Sequence, residues 1–266
     1  MKKTNILQMM LTFLLLMIAS VTVTATAQSL SEQADAAYTA DDYTKAIELY
    51  NQAAREDGSS SLLFYNLGNA YYRNGELGKA ILNYQRALKL DPTNADARTN
   101  LEFVNTKIID KPVDNDQLMD KISDHVIGFM TADGWAYTTA ILFLLFMICA
   151  AGYIFINSVG LRKSSFFAAL ILLFATIFGI IVSVAAANRL TDNNDAVILS
   201  QSVQLSTSPR QPKDKSEEAL LLHEGTCVHI LDSLQVKDLS DNPMWYEVLV
   251  NKEHRAWINA SDVERI

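Results

Sequence analysis

The chain has 266 residues, half of them apolar, and a formal net charge of −8. That acidity excludes a nucleic-acid binder that lives on phosphate contacts, which needs a basic face. Two cysteines exclude a disulfide scaffold. The apolar residues crowd into residues 6–27, 134–161 and 164–188, so the distribution predicts a membrane protein with soluble parts.

Lys2 and Lys3 open the chain, an apolar run follows from Met9 to Ala19, and Ala25-Thr26-Ala27 supplies a small-residue cleavage site. A positive start, a short apolar run and an A-x-A site predict a secretory signal peptide over residues 1–27, cut before Gln28. The alternative is an uncut anchor, although the apolar run is short for a span. Either form exports the residues that follow. No cysteine follows the site, so a lipidated amino terminus is not indicated.

Residues 28–110 carry an internal repeat. At an offset of 34, Tyr38, Lys45, Ala46, Ile47, Tyr50 and Ala53 recur as Tyr72, Lys79, Ala80, Ile81, Tyr84 and Ala87. The units are residues 27–60 and 61–94, and residues 95–109 repeat only a first helix, with Leu101 at the matching position. Leu67-Gly68, Tyr71 and Asp91-Pro92 complete the second unit. This pattern resembles the tetratricopeptide repeat (TPR), a 34-residue helix-turn-helix. Gly68 and Ala80 are small where paired helices approach, Gly75 suits a left-handed helix end, and Pro92 stops the second helix. The first unit is degenerate, with Ala34, Ala37 and Gly58 at the Gly, Tyr and Pro positions.

The TPR resemblance implies partner binding on the concave face of the first helices, here Tyr38, Tyr65, Asn69, Tyr72 and Arg73. Tyr38 and Tyr72 packing between repeats is the competing expectation. The carboxylate-clamp form is not supported: Ser31, Asp35, Asp96 and Asn100 depart from its pattern and only Asn66 matches. Two units and a cap are few for a solenoid, which predicts pairing with another protein or a possible homo-oligomer.

Residues 111–133 form an amphipathic connector. Leu118, Ile122, Val126 and Met130 recur every four residues, with Asp116, Asp120 and Asp124 on other faces. The pattern suits a helix on the membrane surface or one packed on the repeats; the acidic face favours packing. Uncharged runs at residues 134–161 and 164–188 predict two transmembrane helices, 134–157 and 166–187. A short loop, residues 158–165, makes them a hairpin, and Arg162 and Lys163 place it on the cytoplasmic side. Two buried core helices are the alternative. With no charge inside either span, an anchor is favoured over a channel or pump.

Short β-rich runs at residues 196–199, 227–231, 245–250 and 256–258 predict a small antiparallel barrel over residues 195–266. Leu222-His223-Glu224-Gly225-Thr226-Cys227-Val228, Trp245-Tyr246-Glu247-Val248 and Ala256-Trp257-Ile258 resemble a bacterial SH3 domain, with residues 206–216 as its long first loop. Trp245, Tyr246 and Trp257 are candidates for an aromatic groove, against the expectation that alternate members pack the barrel. His223, Cys227 and His229 fall short of zinc spacing. No nucleotide, hydrolase or metalloprotease motif occurs, so neither enzyme activity, cofactor nor metal is expected.

The expected fold class is therefore multi-domain: all-α TPR repeats, a two-helix transmembrane hairpin and a small all-β SH3-like barrel. That architecture resembles the BatE-like family of the Bacteroides aerotolerance operon. The resemblance implies a cell-envelope protein of the inner (cytoplasmic) membrane with both modules on the periplasmic side. It also implies von Willebrand factor A-type membrane partners, a MoxR-type ATPase and a role in assembly or stress tolerance. The first expectation is a non-enzymatic interaction scaffold; the alternative is a peptidoglycan-binding module acting through the SH3-like domain. By this topology the two cytoplasmic-side segments carry a charge of +4 and the exported ones −12.

Overall fold

The computed structural model describes residues 29–111, 118–236, 244–250 and 254–266. The predicted signal peptide and residues 112–117 of the connector lie outside them.

Five helices form the amino-terminal module: α1 (Leu30–Thr39), α2 (Tyr43–Glu56), α3 (Ser61–Arg73), α4 (Leu77–Leu90) and α5 (Ala95–Asn105). α1 begins with a capping box in which Ser29 and Glu32 exchange side-chain and backbone hydrogen bonds. α1 and α3 end alike. Asp41 N–H donates to the Tyr38 carbonyl and Asp42 N–H to Ala37; Gly75 and Glu76 do the same to Tyr72 and Tyr71. The turn needs a positive φ, which Gly75 adopts at 85° and its counterpart Asp41 at 60°. Gly68 lets α3 and α4 close up: a Cβ there would stand 2.7 Å from the Tyr84 ring. Ala46, Tyr50 and Ala53 in α2 and Ala80, Tyr84 and Ala87 in α4 are all buried, as the repeat spacing predicts.

α6 (Leu118–Ile127) leads into two long apolar helices, α7 (Ala132–Phe155) and α8 (Val159–Thr191), each long and apolar enough to cross a membrane. At 1.5 Å per residue they reach about 36 and 50 Å, against a hydrocarbon core of about 30 Å. Only residues 156–158 separate them. The predicted loop at 158–165 is thus mostly helical, and Arg162 and Lys163 sit in the first turns of α8. Helix satisfies backbone groups internally, so extending it beyond the apolar run costs little where water is scarce. The pair packs through small residues. A Cβ on Gly179 would stand 2.5 Å from Thr139 Oγ1, and one on Gly152 3.1 Å from Ser165 Oγ. α6 rests mainly on α8, with Asp124 3.6 Å from Arg189, and its last residue, Ile127, lines a small hollow with Leu88, Leu90 and Pro92 of the repeats.

The carboxyl-terminal module is one antiparallel sheet of seven strands: β1 (Asp195–Ile198), β2 (Ser202–Ser206), β3 (Glu218–His223), β4 (Cys227–Gln235), β5 (Met244–Val250), β6 (His254–Asn259) and β7 (Val263–Arg265). Their spatial order is β3-β2-β6-β5-β4-β1-β7. All seven contribute buried residues to one cluster, among them Ile198, Leu205, Leu222, Ile230, Val248, Ile258 and Val263. A sheet that points every strand at one cluster must curl around it. β2 and β3 were not expected from the sequence. Their hydrophobic alternation is brief, and residues 207–217 separate them.

The two modules are not independent. α4 is packed on its far side by β1 and the β3–β4 turn. Val197, Leu199 and Ile266 join the cluster formed by Ile81, Leu82, Leu101, Val104 and Ile108. Gly225, at φ +88°, fits so closely that a Cβ would stand 2.8 Å from both Ile108 and Ile81. Around this contact Asp110 accepts from the His223 backbone N–H at 2.6 Å and from Thr226 Oγ1 at 3.0 Å. Arg86 donates to Glu264 at 2.9 Å and to the Arg265 carbonyl. Lys89 reaches an oxygen of Ile266 at 2.9 Å. The pairing expected of so short a solenoid is met within the chain, which removes that reason for a homo-oligomer.

Candidate functional site

All five residues expected on the concave face line one groove of about 300 Å³: Tyr38 from α1, and Tyr65, Asn69, Tyr72 and Arg73 from α3. Tyr84, Asn100 and Phe103 complete it from α4 and α5. The helical repeat explains the convergence. α1, α3 and α5 are the first helices of successive pairs, so equivalent positions stack along one face.

Both expectations for Tyr38 and Tyr72 describe part of their setting. Tyr38 meets Tyr43 edge-on with centroids 5.5 Å apart, and Tyr72 meets Phe103 at 5.9 Å. Each is half-buried and still presents a ring to the groove. Arg73 is exposed, lies 5.0 Å from the Tyr43 centroid and donates to the Tyr43 hydroxyl, with Asp41 at 3.5 Å. Its guanidinium is therefore oriented before any ligand arrives. Lys107 lies 4.6 Å from the Phe103 centroid and 6.0 Å from that of Tyr72.

The floor is a network of amides and phenols. Asn69 Oδ1 accepts from Tyr84 Oη at 2.7 Å and from Asn100 Nδ2 at 2.8 Å. A contiguous hollow of about 260 Å³ adds Asp35, Tyr50 and Asn66. Asn66 donates to Asp35 at 3.3 Å, and Tyr50 donates to the same carboxylate. Burial and the Asp35 bond hold the Tyr50 phenol well above its ordinary range, and burial does the same for Tyr84. Both stay protonated donors. Asn69 is thus fixed in orientation and shows its remaining groups to the groove. Asn66, the one residue matching the carboxylate clamp, is engaged by Asp35, so an incoming carboxylate would meet an acid there. Asp35, Tyr84 and Phe103 were missed as groove residues. Their signal was in the repeat: each sits on or beside the face that the stacked first helices share.

A larger cavity, about 980 Å³, opens where α4, α6, α8 and β1 meet, lined by Lys89, Asp124, Arg189, Asp192 and Asp195. Its charges are already engaged with each other or with backbone, as in the Arg189–Asp124 and Lys89–Asp192 contacts. Desolvation lowers the Lys89 pKa despite Asp192 and Asp195 nearby. The cavity lacks the aromatic faces that anchor a peptide.

In the β-module, Trp245 is 3% exposed, so it cannot share a surface groove with Tyr246 and Trp257. Tyr246 packs against the sheet's core and carries Arg265 4.9 Å from its ring centroid. His223, Cys227 and His229 turn to separate partners: Asp110 at 3.2 Å, Gln85 at 3.8 Å and Asp195 at 2.8 Å. Among the described residues no group of three His, Cys, Asp or Glu is placed to hold a metal ion.

Residues 68–105 match the family model described as TPR repeat. The match spans the second half of α3 and all of α4 and α5, and therefore the centre of the groove. No curated protein matches the chain. The chain thus carries a TPR, a repeat of the class that mediates protein–protein contacts without catalysing reactions.

Proposed function

We propose that this chain is a membrane-anchored, non-enzymatic scaffold of the cell envelope that captures a segment of a partner protein in its TPR groove. The observation that carries this reading is the convergence of Tyr38, Tyr65, Asn69, Tyr72 and Arg73 on one groove. Rigid aromatic faces and a pre-oriented Arg give contact area and charge at little entropic cost. The α7–α8 hairpin is the anchor, and Arg162 and Lys163 at its turn put that end in the cytoplasm. Both modules then lie on the periplasmic side of the inner membrane, where the acidic exported surface favours a basic or apolar segment. The BatE-like resemblance adds von Willebrand factor A-type and MoxR-type partners and a part in aerotolerance. The SH3-like β-module acts in this reading as a buttress for α4. The peptidoglycan alternative is left with Tyr246 and Trp257, each half-buried, because Trp245 is enclosed.

Crosslinking pull-downs of the full chain from membranes test the groove. Tyr72→Ala/Arg73→Ala is expected to weaken capture by about 2 kcal/mol, a hot-spot-sized loss, compared at equal folded fraction as read by protease resistance, because Tyr72 also packs on Phe103. Identical partner lists would sink the reading.

A further inference from the structure

α6 is amphipathic the wrong way round for a helix that belongs to a protein core. At about 100° per residue, Leu118, Met119, Ile122 and Val126 occupy one arc of about 100°. The structure turns most of that arc outward: Leu118 is 72% exposed, Met119 71% and Ile122 48%, with Val126 half-buried at its end. The helix is held through the other side. Asp124 pairs with Arg189 near the end of α8, and the carbonyl of Ile127 accepts from Trp135 Nε1 at 3.1 Å. Asp124, which made the helix look hostile to lipid, lies on the side of the helix opposite that arc and is partnered by Arg189 while remaining exposed.

Position supplies the occupant. α6 ends five residues before α7 begins, and Arg189 lies one residue beyond the uncharged run of α8. The exposed Phe129 and Tyr137 continue the apolar surface from α6 onto the outside of α7. A strip joined to the lipid-facing flank of a span, at the level where that span leaves the bilayer, faces the headgroup–acyl boundary. Trp135 and Tyr137 mark the same level, where amphipathic rings concentrate.

We propose that α6 lies in the plane of the membrane with Leu118, Met119, Ile122 and Val126 inserted in the outer leaflet, making a third lipid contact beside the two spans. This rests on the membrane placement of α7 and α8 proposed above. In-plane insertion fixes the height of the TPR groove over the bilayer, because α6 is the last segment between the repeats and the hairpin.

The test uses the full chain with Cys149→Ser and Cys227→Ser, reconstituted in bilayer discs of phosphatidylethanolamine and phosphatidylglycerol. Single cysteines at Met119→Cys, Ile122→Cys, Ile148→Cys on α7 and Glu102→Cys on α5 carry a nitroxide. Collision with oxygen, which enters lipid, and with a water-soluble nickel chelate, which does not, reports the surroundings of each label. The expected result is loss of nickel collisions at 119 and 122 with oxygen collisions retained, as at 148 and opposite to 102. Nickel accessibility at 119 and 122 equal to that at 102, with 148 protected, overturns the α6 proposal and leaves the anchor standing. Protection of 119 and 122 from both reagents also overturns it, in favour of a protein contact such as a second copy. Nickel accessibility at 148 equal to that at 102 instead removes the membrane placement itself.

Discussion

The two repeat units share a 34-residue plan and differ in what stands behind them. In α2 the outward face carries Thr44, Glu48, Gln52 and Arg55, all polar. In α4 the same positions are Gly78, Leu82, Arg86 and Lys89, and Gly78 and Leu82 are buried. Glycine is needed because a Cβ at 78 would stand 2.6 Å from Glu224 and 3.0 Å from the Ile198 carbonyl. Leu82 joins the cluster shared with Val197, while Arg86 and Lys89 bind backbone oxygens of Arg265 and Ile266. Even the helix cap differs. α2 is capped by its own Asp42, which accepts from Lys45 N–H at 3.2 Å. Glu76 gives α4 no such bond; instead Glu224 of the β-module accepts from Gly78 N–H at 2.7 Å. A repeat has two faces to specialise. The first helices keep the candidate groove, and the second helix of unit two has been given over to an internal partner.

Substitutions that treat the two units unequally sharpen this comparison. Gly225→Val should be the most damaging, about 3 kcal/mol, because it combines a left-handed backbone with a clash against Ile81 and Ile108. Thr44→Leu, on the open face of unit one, should stay within about 0.5 kcal/mol. Both are read by denaturant-dependent proteolysis of the full chain in discs. If the two substitutions cost the same, the fused interface is wrong. Asp110→Ala should follow at about 2 kcal/mol, since it strands the part-buried His223 N–H, while the Thr226 hydroxyl keeps the His223 carbonyl as acceptor at 2.8 Å. Accelerated hydrogen exchange at residues 223–226 would mark the loss there and nowhere in unit one. Glu224→Ala should remove about 1 kcal/mol and fray α4 at its start. Hydrogen exchange at residues 77–80 measures that directly, with residues 43–46 of α2 as the unaffected comparison.

The smallest effect is a pH dependence. Desolvation pushes the Glu76 carboxyl up, but hydrogen bonds from Lys79 and Asn74 outweigh it and leave the pKa lowered. A lowered folded-state pKa stabilises above the ordinary glutamate range, and that contribution disappears as pH falls through the lowered value. Glu76→Gln should therefore lose a few tenths of a kcal/mol near neutrality, as befits a partly exposed pair 2.6 Å apart. The difference from wild type should vanish in acid. A difference that grows as pH falls would show the sign to be wrong.

The groove was legible in the sequence because a repeat converts position into place. Tyr38 and Tyr72, 34 residues apart, had to share one face of the stack. The docking of the β-module was not legible because its determinants are departures from the repeat. Gly78 and Leu82 signal something only beside Thr44 and Glu48, and Glu224 lies 146 residues from the N–H it caps. β2 escaped because Ser202-Val203-Gln204-Leu205-Ser206 offers only two apolar residues, and its pairing slips register between Gln204 and Ser206. Of Trp245, Tyr246 and Trp257, alternation predicted that some would pack the barrel but not which, and it is Trp245 that the folded sheet buries.

The route of the chain gives the β-module a mechanical role. The polypeptide leaves the repeats through α5, crosses down α7 and back up α8, and the module that follows returns to grip α4 through Arg86 and Lys89. The segment that follows the hairpin is thereby tied back to the repeats that precede it. In the membrane placement proposed above, a pull on a segment held in the groove is shared between both helices, so load would reach the bilayer as traction on the pair and not as a force that splays one from the other.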